Sequence, residues 1–354
     1  MRDTRYDPQQ PKTSTFRGEH RDVSVIIPTR NRAVALARVL TCLERQDTSA
    51  QWEVLVVDNS SSDDTSIVLQ QFKEYLPLRF EYEPVPGKSR ALNRGMEAAT
   101  GKMLVFTDDD VTFGPSWISQ YVRVEREYPN ACVFCGPIIP IYPPQTPPWM
   151  PDHLFATGSF ARFEVQTGEG LLPPPAVPFG PNFAIRAKMC EGMRFRSDLG
   201  PSLLGNFMCE DTEFLRRFRR AKAEFIYVPD AKVQHLIRDE LVPESSQCLR
   251  WYFIGNGIVN AGEPIRTLRN YSFSAATDIN QFERNILLSF YLGQLKALRS
   301  LNDTRRSRII SNSIECLGEK VWDRLRQIAS RELKLAISEL EIELRSSSNA
   351  SGLR

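Results

Sequence analysis

Met103-Leu104-Val105-Phe106-Thr107-Asp108-Asp109-Asp110 (residues 103–110) is an apolar run that stops at three consecutive aspartates. Bounded by turn signals, such a run reads as a strand buried on both faces, as in a parallel sheet covered by helices. Adjacent carboxylates repel one another, so a folded chain gathers them most readily around a cation. Oxygen ligands suit Mg2+ or Mn2+, especially with substrate phosphates completing the shell. Taken alone the triplet describes a solvated turn equally well; its position after a buried strand is what favours a metal site.

Working outward, the same unit recurs upstream. Val23 to Ile27 reads as a strand stopped by Pro28, followed by a helix over about 32–45. Glu53 to Val57 reads as a second strand that runs into Asp58-Asn59-Ser60-Ser61-Ser62-Asp63-Asp64, a cluster of turn and capping residues, before a helix over about 65–75. A third strand over about 80–83 leads through Pro86-Gly87-Lys88-Ser89 into a helix ending near Ala99. The alternation predicts a doubly wound α/β layer with a mainly parallel sheet. Ligands bind such sheets beyond the carboxyl ends of the strands, which is where Pro28, Asp58 and Asp108 fall.

Downstream, residues 137–181 are rich in proline (PIIPIYPPQTPPWMP and LLPPPAVPFGP) and read as a long shaped surface loop, either lining a substrate site or merely structural. From Glu283 the pattern turns helical, with Leu287, Leu288, Tyr291, Leu295 and Leu298 on one apolar face, and a charge-rich helical segment follows over about 319–344. That face suits a homo-oligomer interface, a cap on the catalytic domain or a peripheral membrane contact. The domain plan expected is a flexible tail over 1–20, a catalytic domain over 21–260, a helical C-terminal extension over 261–345 and a disordered tail over 346–354.

Bulk composition narrows the classes. With 354 residues, 42% of them hydrophobic, the chain can bury a large core. Basic and acidic residues number 45 and 43, which gives no reason to expect a nucleic-acid partner. Seven cysteines without framework spacing suggest buried free thiols in a reducing compartment. Cys132 and Cys135 lie at an odd offset in an alternating apolar run, which points them to opposite strand faces and away from a shared zinc or redox site. No stretch approaches the roughly 20 apolar residues of a spanning helix, and the N-terminus lacks a signal-peptide core, so the expectation is a cytoplasmic protein, soluble or peripheral at the inner face of a membrane.

Five segments in order, Pro28-Thr29-Arg30-Asn31-Arg32, Val56-Val57-Asp58-Asn59-Ser60, Ser89-Arg90-Ala91-Leu92-Asn93-Arg94-Gly95, Thr107 to Asp110 and Glu210-Asp211, together resemble the family 2 glycosyltransferases over about residues 22–240. The resemblance implies a GT-A fold, an inverting mechanism, a UDP- or GDP-linked sugar donor, Mn2+ or Mg2+, and a place in polysaccharide biosynthesis. It implies that Pro28 and Thr29 line the base pocket, that Asp58 accepts a hydrogen bond from the base, and that Arg32, Lys88 and Arg90 meet the donor. Asp108 and Asp109 would contact nucleoside and metal, with Asp110 as the direct metal ligand. Asp211, beside Glu210 at the start of the amphipathic stretch EDTEFLRRFRR, would be the general base for the acceptor hydroxyl. At a helix start the positive end of the dipole stabilises a carboxylate.

The remaining carry-overs are single residues. His235 resembles a metal-binding histidine of some members. Gln247-Cys248-Leu249-Arg250-Trp251 matches the QxxRW pattern of processive members, implying Arg250 on the diphosphate and Trp251 on the acceptor; Asn182, in Gly180-Pro181-Asn182-Phe183, falls in a region that faces the acceptor. The acceptor expected is a glycan, a lipid-linked glycan or a small molecule. Two other readings compete. A nucleotidyltransferase would need a glycine-rich, Arg/Lys-bearing phosphate loop after the first strand, which the sequence lacks. A catalytically inactive nucleotide-sugar or carbohydrate-binding module is opposed by intact Asp58, aspartate triplet and Asp211.

Overall fold

The structure, a computed structural model, describes residues 21–151, 158–165, 168–202, 205–266, 280–317, 319–331, 333–335 and 337–338. The tails expected over 1–20 and 346–354, and part of the segment over 319–344, lie outside the described residues. The described chain forms strands β1 (Arg21–Thr29), β2 (Trp52–Asp58), β3 (Leu78–Tyr82), β4 (Gly101–Phe106), β5 (Val111–Phe113), β6 (Val133–Cys135), β7 (Ile138–Ile141), β8 (Gly170–Leu171), β9 (Phe183–Arg186), β10 (Gly200–Ser202), β11 (Gly205–Phe207), β12 (Phe225–Tyr227) and β13 (Val233–Leu236). Between and after them run helices α1 (Ala33–Glu44), α2 (Thr65–Phe72), α3 (Lys88–Ala98), α4 (Trp117–Glu127), α5 (Glu210–Arg220), α6 (Glu244–Asn260), α7 (Gln281–Ser300), α8 (Thr304–Glu315) and α9 (Glu319–Ile328).

The chain divides into two compact units built from interleaved segments. The first gathers the described residues of Met1–Ile138, Glu164–Arg194 and Phe218–Val233; the second gathers those of Ile139–Phe163, Phe195–Arg217 and Gln234–Arg354. The first is an α/β layer around a sheet ordered β3-β2-β1-β4-β9-β6-β12-β8. Strands β3, β2, β1 and β4 run parallel, β9 is antiparallel to its neighbours, and β6 and β12 are parallel again. This is the mainly parallel, helix-flanked architecture expected. Val25 to Ile27, Val54 to Val57 and Val105 are wholly buried, which explains continuous apolar runs where a half-exposed strand would alternate. Pro28 does not stop β1: it pairs in register with Val57, and the ladder with β4 has ended at Ile26 and Phe106, so a missing N–H on that side removes no bond. The proline-rich stretch contains β7 and β8, and β8 pairs antiparallel with β12 at the sheet edge.

Glu53 is a charged group inside this layer, 1% exposed. Its carboxylate accepts from Ser24 Oγ at 2.6 Å, Arg79 Nη1 at 2.8 Å, and the Thr100 N–H and hydroxyl, each at 2.8 Å. Burial alone would raise its pKa; the bonds from Ser24, Arg79 and Thr100 outweigh burial and hold the carboxyl below its ordinary value. A depressed folded-state pKa contributes stability that is fully present above the unfolded value of about 4.3 and is lost as pH falls through the lower folded value. Glu53→Gln should therefore cost about 2 kcal/mol at neutral pH and show a shallower fall of melting temperature on acidification than the wild type. Parallel acid limbs in the two proteins would reject this account.

The second unit is mainly helical, and among the described residues no helix is long and apolar enough to cross a membrane. α7 is buried nearly all round, with Ile286 to Leu288, Phe290 to Leu292, Leu295, Ala297 and Leu298 joining a core with Trp251 and Tyr252 of α6 and with Ile310 and Ile314 of α8. The apolar face, expected to form an oligomer interface, a cap on the catalytic domain or a membrane contact, packs against other helices of the same unit. Two glycines set the spacing of α6 and α7: a Cβ on Gly255 would lie 2.1 Å from Phe290 O, and one on Gly293 would lie 1.9 Å from Tyr252 O. Two buried polar side chains on α7 are bonded, Asn285 donating to Glu244 at 2.7 Å and Gln294 exchanging bonds with the Arg266 backbone.

Candidate active site

The first unit brings the expected donor residues to the carboxyl ends of its parallel strands. Thr29 and Asp58 are register partners at the ends of β1 and β2, and the triplet follows β4 on the other side of β1. The sheet order reverses between β1 and β4, which is the topological switch point where such sheets take ligands. Thr29 Oγ1 donates to Asp109 Oδ2 across that point at 2.7 Å.

The three aspartates have different surroundings. Asp109 is buried, its second carboxylate oxygen accepting from Arg32 Nη1 at 2.6 Å. The same Arg32 nitrogen donates to Asp110 Oδ2 at 2.8 Å. Burial pushes the Asp109 carboxyl up to about 6; the charge of Arg32 pulls against that rise and the charge of Asp110 adds to it. Burial would lower the pKa of Arg32, but Asp109 and Asp110 outweigh it and keep the guanidinium protonated. Asp108 is partly exposed and pairs with Lys88 Nζ at 2.7 Å. In place of the nucleotide contact expected for Asp109, both of its oxygens serve to fasten β4 to β1 and the following loop. Asp108 and Asp110 are the less buried carboxylates of the triplet, and Asp110 Oδ1 is itself shielded from solvent.

Lys88 reaches the strand ends because α3 lies close on the sheet: a Cβ on Gly95 would meet Ile26 Cγ2 at 2.6 Å. Arg90, two residues further on in the first turn of α3, is exposed. Residues to which the sequence assigned no ligand role shape the surrounding loops. Asn59 accepts from Gly87 N at 2.7 Å and donates to the carbonyls of Glu83 and Val85, fixing the turn that delivers Lys88. Asn31, at a left-handed φ of 51°, accepts from Ser62 N at 2.7 Å, and Asp63 accepts from Ala33 N at the start of α1 at 2.9 Å. Asp58 Oδ1 takes the Ser61 N–H at 2.9 Å. Asn and Asp beside strand ends are the available signal for such bonds; the Asp58–Ser61 bond is local, but the cited partners of Asn31, Asn59 and Asp63 lie in other segments.

Asn182 corrects an expectation. It is fully buried, its carbonyl accepts from Trp117 Nε1 at 3.0 Å and Tyr121 Oη at 2.7 Å, and its amide donates to Pro137 O at 3.0 Å and Ala231 O at 2.7 Å. Those four bonds use the whole hydrogen-bonding capacity of the side chain, leaving none for an acceptor sugar.

The second unit carries the other expected residues. Glu210 is buried and Asp211 partly exposed in the first turn of α5, where Asp211 Oδ1 accepts from Thr212 N at 2.6 Å. The helix is seated by Phe214 stacked on Phe195 at 4.0 Å and by the Arg216–Glu263 ion pair. Gly257 of α6 lies against Met208 just before it, a Cβ there falling 2.3 Å from Met208 O. His235 is buried with Nδ1 2.9 Å from Phe160 O. Arg250 is partly exposed on α6. Trp251 is 6% exposed, packed edge to face on Phe290 at 5.4 Å and against Gly158, so its ring is core packing and not the open platform expected for an acceptor. Among the described residues no group of three or more His, Cys, Asp or Glu side chains converges as a ready-made metal site.

Comparison with known proteins agrees with this arrangement. The family model described as Glycosyl transferase family 2 matches residues 24–192, which hold the strand ends, Lys88 and the triplet. Over that segment the chain is similar to glycosyl transferase family 2, and the family model and the relatives support glycosyltransferase activity. It is 26% identical over 238 residues to the succinoglycan biosynthesis protein ExoM of Rhizobium meliloti, covering 66% of this chain and 70% of that protein. It is 32% identical over 117 residues to validoxylamine A glucosyltransferase of Streptomyces hygroscopicus, covering 32% of this chain but 28% of that protein, and the match spans 11% of the hyaluronan synthase of Pasteurella multocida. Among solved structures it is similar to S. aureus TarS 1-349 in complex with UDP (TM-score 0.52, 17% identity, 84% of this chain and 90% of that one). It is equally similar to the mannosyltransferase PcManGT from Pyrobaculum calidifontis (TM-score 0.52, 18% identity, 91% and 87%). These likenesses show the fold.

Proposed function

We propose that the protein moves a sugar from a UDP- or GDP-linked donor to a hydroxyl of a glycan or lipid-linked acceptor, inverting the anomeric configuration and working with Mn2+ or Mg2+. The observation that carries this reading is the meeting of Thr29, Asp58, Lys88 and the triplet at the switch point of the sheet. The structural neighbours lend support by their ligands: TarS was solved with UDP and with UDP-GlcNAc, and PcManGT with GDP-Man and Mn2+.

In this reading Pro28 and Thr29 border the base and Asp58 accepts from it. Asp108 and Asp110 would hold the cation. Two carboxylates fit a hard cation that keeps waters and takes substrate phosphate oxygens for the rest of its shell. When bound, that cation would supply positive charge where the diphosphate leaves. Lys88, Arg90 and Arg250 would add charge for the departing group. Asp211 takes the proton of the acceptor hydroxyl; the oxygen forms a bond to the anomeric carbon as the bond from that carbon to the diphosphate oxygen breaks, and one displacement gives inversion. His235 is kept as a proposed cation ligand.

The test is to incubate the protein with UDP- and GDP-sugars, Mn2+ and a range of acceptors and to measure released nucleotide. Release from one donor class, lost on chelation, is the expected result. Saturable nucleotide-sugar binding without turnover across all donors and acceptors would instead favour an inactive binding module.

A further inference from the structure

The Arg32 guanidinium lies where a metal would compete with it. One nitrogen, Nη1, is 2.6 Å from Asp109 Oδ1 and 2.8 Å from Asp110 Oδ2. The two bonds are unequal in setting. The Asp109 side chain is 5% exposed and also holds Thr29, whereas that of Asp110 is 13% exposed and that of Arg32 is 31% exposed. Asp110 is therefore the less deeply buried of the two partners of Arg32. A guanidinium donating to a carboxylate occupies its lone pairs and offsets its charge, both of which a divalent cation requires. Arg32 also stands immediately before the first residue of α1, so its backbone is fixed while its long side chain can turn about the Asp109 contact.

We propose that Arg32 is a built-in counter-cation that holds Asp110 when no metal is bound, and that it must release Asp110 for a divalent cation to bind. The inference rests on the cation reading above and adds a positioning residue that sets metal affinity. Its consequence is coupling between the two ligands. A cation arriving alone displaces Arg32 from an anion and leaves the guanidinium no new partner. Arriving with a nucleoside diphosphate, it brings phosphate oxygens that the planar fork of an arginine matches well. Metal and nucleotide should then reinforce one another by the same factor in either order.

The experiment titrates Mn2+ into the full chain, wild type, Arg32→Gln and Arg32→Lys, with and without saturating UDP, reading free Mn2+ by its electron paramagnetic resonance signal. Expected is weak Mn2+ binding by the wild type, strengthened about tenfold or more by UDP, a factor worth about 1.4 kcal/mol. Arg32→Gln should bind Mn2+ alone about tenfold more tightly and lose most of the coupling, while Arg32→Lys, which keeps the charge, should stay near the wild type. Equal or weaker Mn2+ binding by a folded Arg32→Gln overturns the inference. If that variant does not fold, absence of UDP-strengthened Mn2+ binding in the wild type overturns it as well. Mn2+ binding that ignores Arg32 leaves the cation reading standing, whereas no Mn2+ binding by any form, even with UDP, removes both.

Discussion

Asp211→Asn is expected to lower turnover by about 10²-fold or more while leaving donor affinity and melting temperature near those of the wild type. The substitution separates chemistry from structure because of what Asp211 bonds. Its Oδ1 accepts from the Thr212 N–H at 2.6 Å and the Thr212 hydroxyl at 3.3 Å, and the amide oxygen of asparagine can accept both. The start of α5 should therefore survive, and what disappears is the basic oxygen. Single-turnover rates measured with saturating donor and acceptor, beside calorimetric donor affinity, make the distinction. Near-normal turnover would require another base. Glu210→Gln is the useful contrast: Glu210 is 4% exposed, so its loss should act on stability, and a large rate loss at unchanged stability would shift the basic role to it.

The sequence was most legible where burial is on both faces. Val23 to Ile27, Glu53 to Val57 and Met103 to Phe106 lie within observed strands, and each ends within two residues of a side chain that the fold carries to the switch point. What could not be read is orientation. Nothing in Asp108-Asp109-Asp110 distinguishes the aspartate that turns inward, because that choice depends on Thr29 and Arg32, 80 and 77 residues away. Asn182 was illegible for the same reason, its four partners lying 45 to 65 residues distant. On α7 the buried Asn285, Ser289 and Gln294 interrupt the apolar pattern, so a helix enclosed all round reads as one with a single apolar face. The interleaved units were also beyond a linear reading, since 139–163 and 195–217 join the second unit from within the stretch that looks like one domain.

Asp110→Ala should remove the strengthening of nucleotide binding by Mn2+, so that UDP affinity measured by calorimetry with Mn2+ falls to its value without metal. Few carboxylate oxygens of the triplet are available to a cation. Asp109 is committed to Thr29 and Arg32, so deleting Asp110 leaves Asp108, itself 2.7 Å from Lys88, as the one less buried carboxylate of the triplet. A cation that binds through one or two carboxylates plus phosphate loses its main protein anchor there. The loop should nevertheless keep its shape, because Arg32 retains Asp109 at 2.6 Å. Asp109→Asn should behave in the opposite way. It weakens the buried link between β1 and β4, lowers the melting temperature and keeps the response to Mn2+. Unchanged Mn2+ dependence in Asp110→Ala, or its loss in Asp109→Asn at unchanged stability, would reverse the roles assigned to these two neighbours and with them the view that the middle aspartate faces inward for structure.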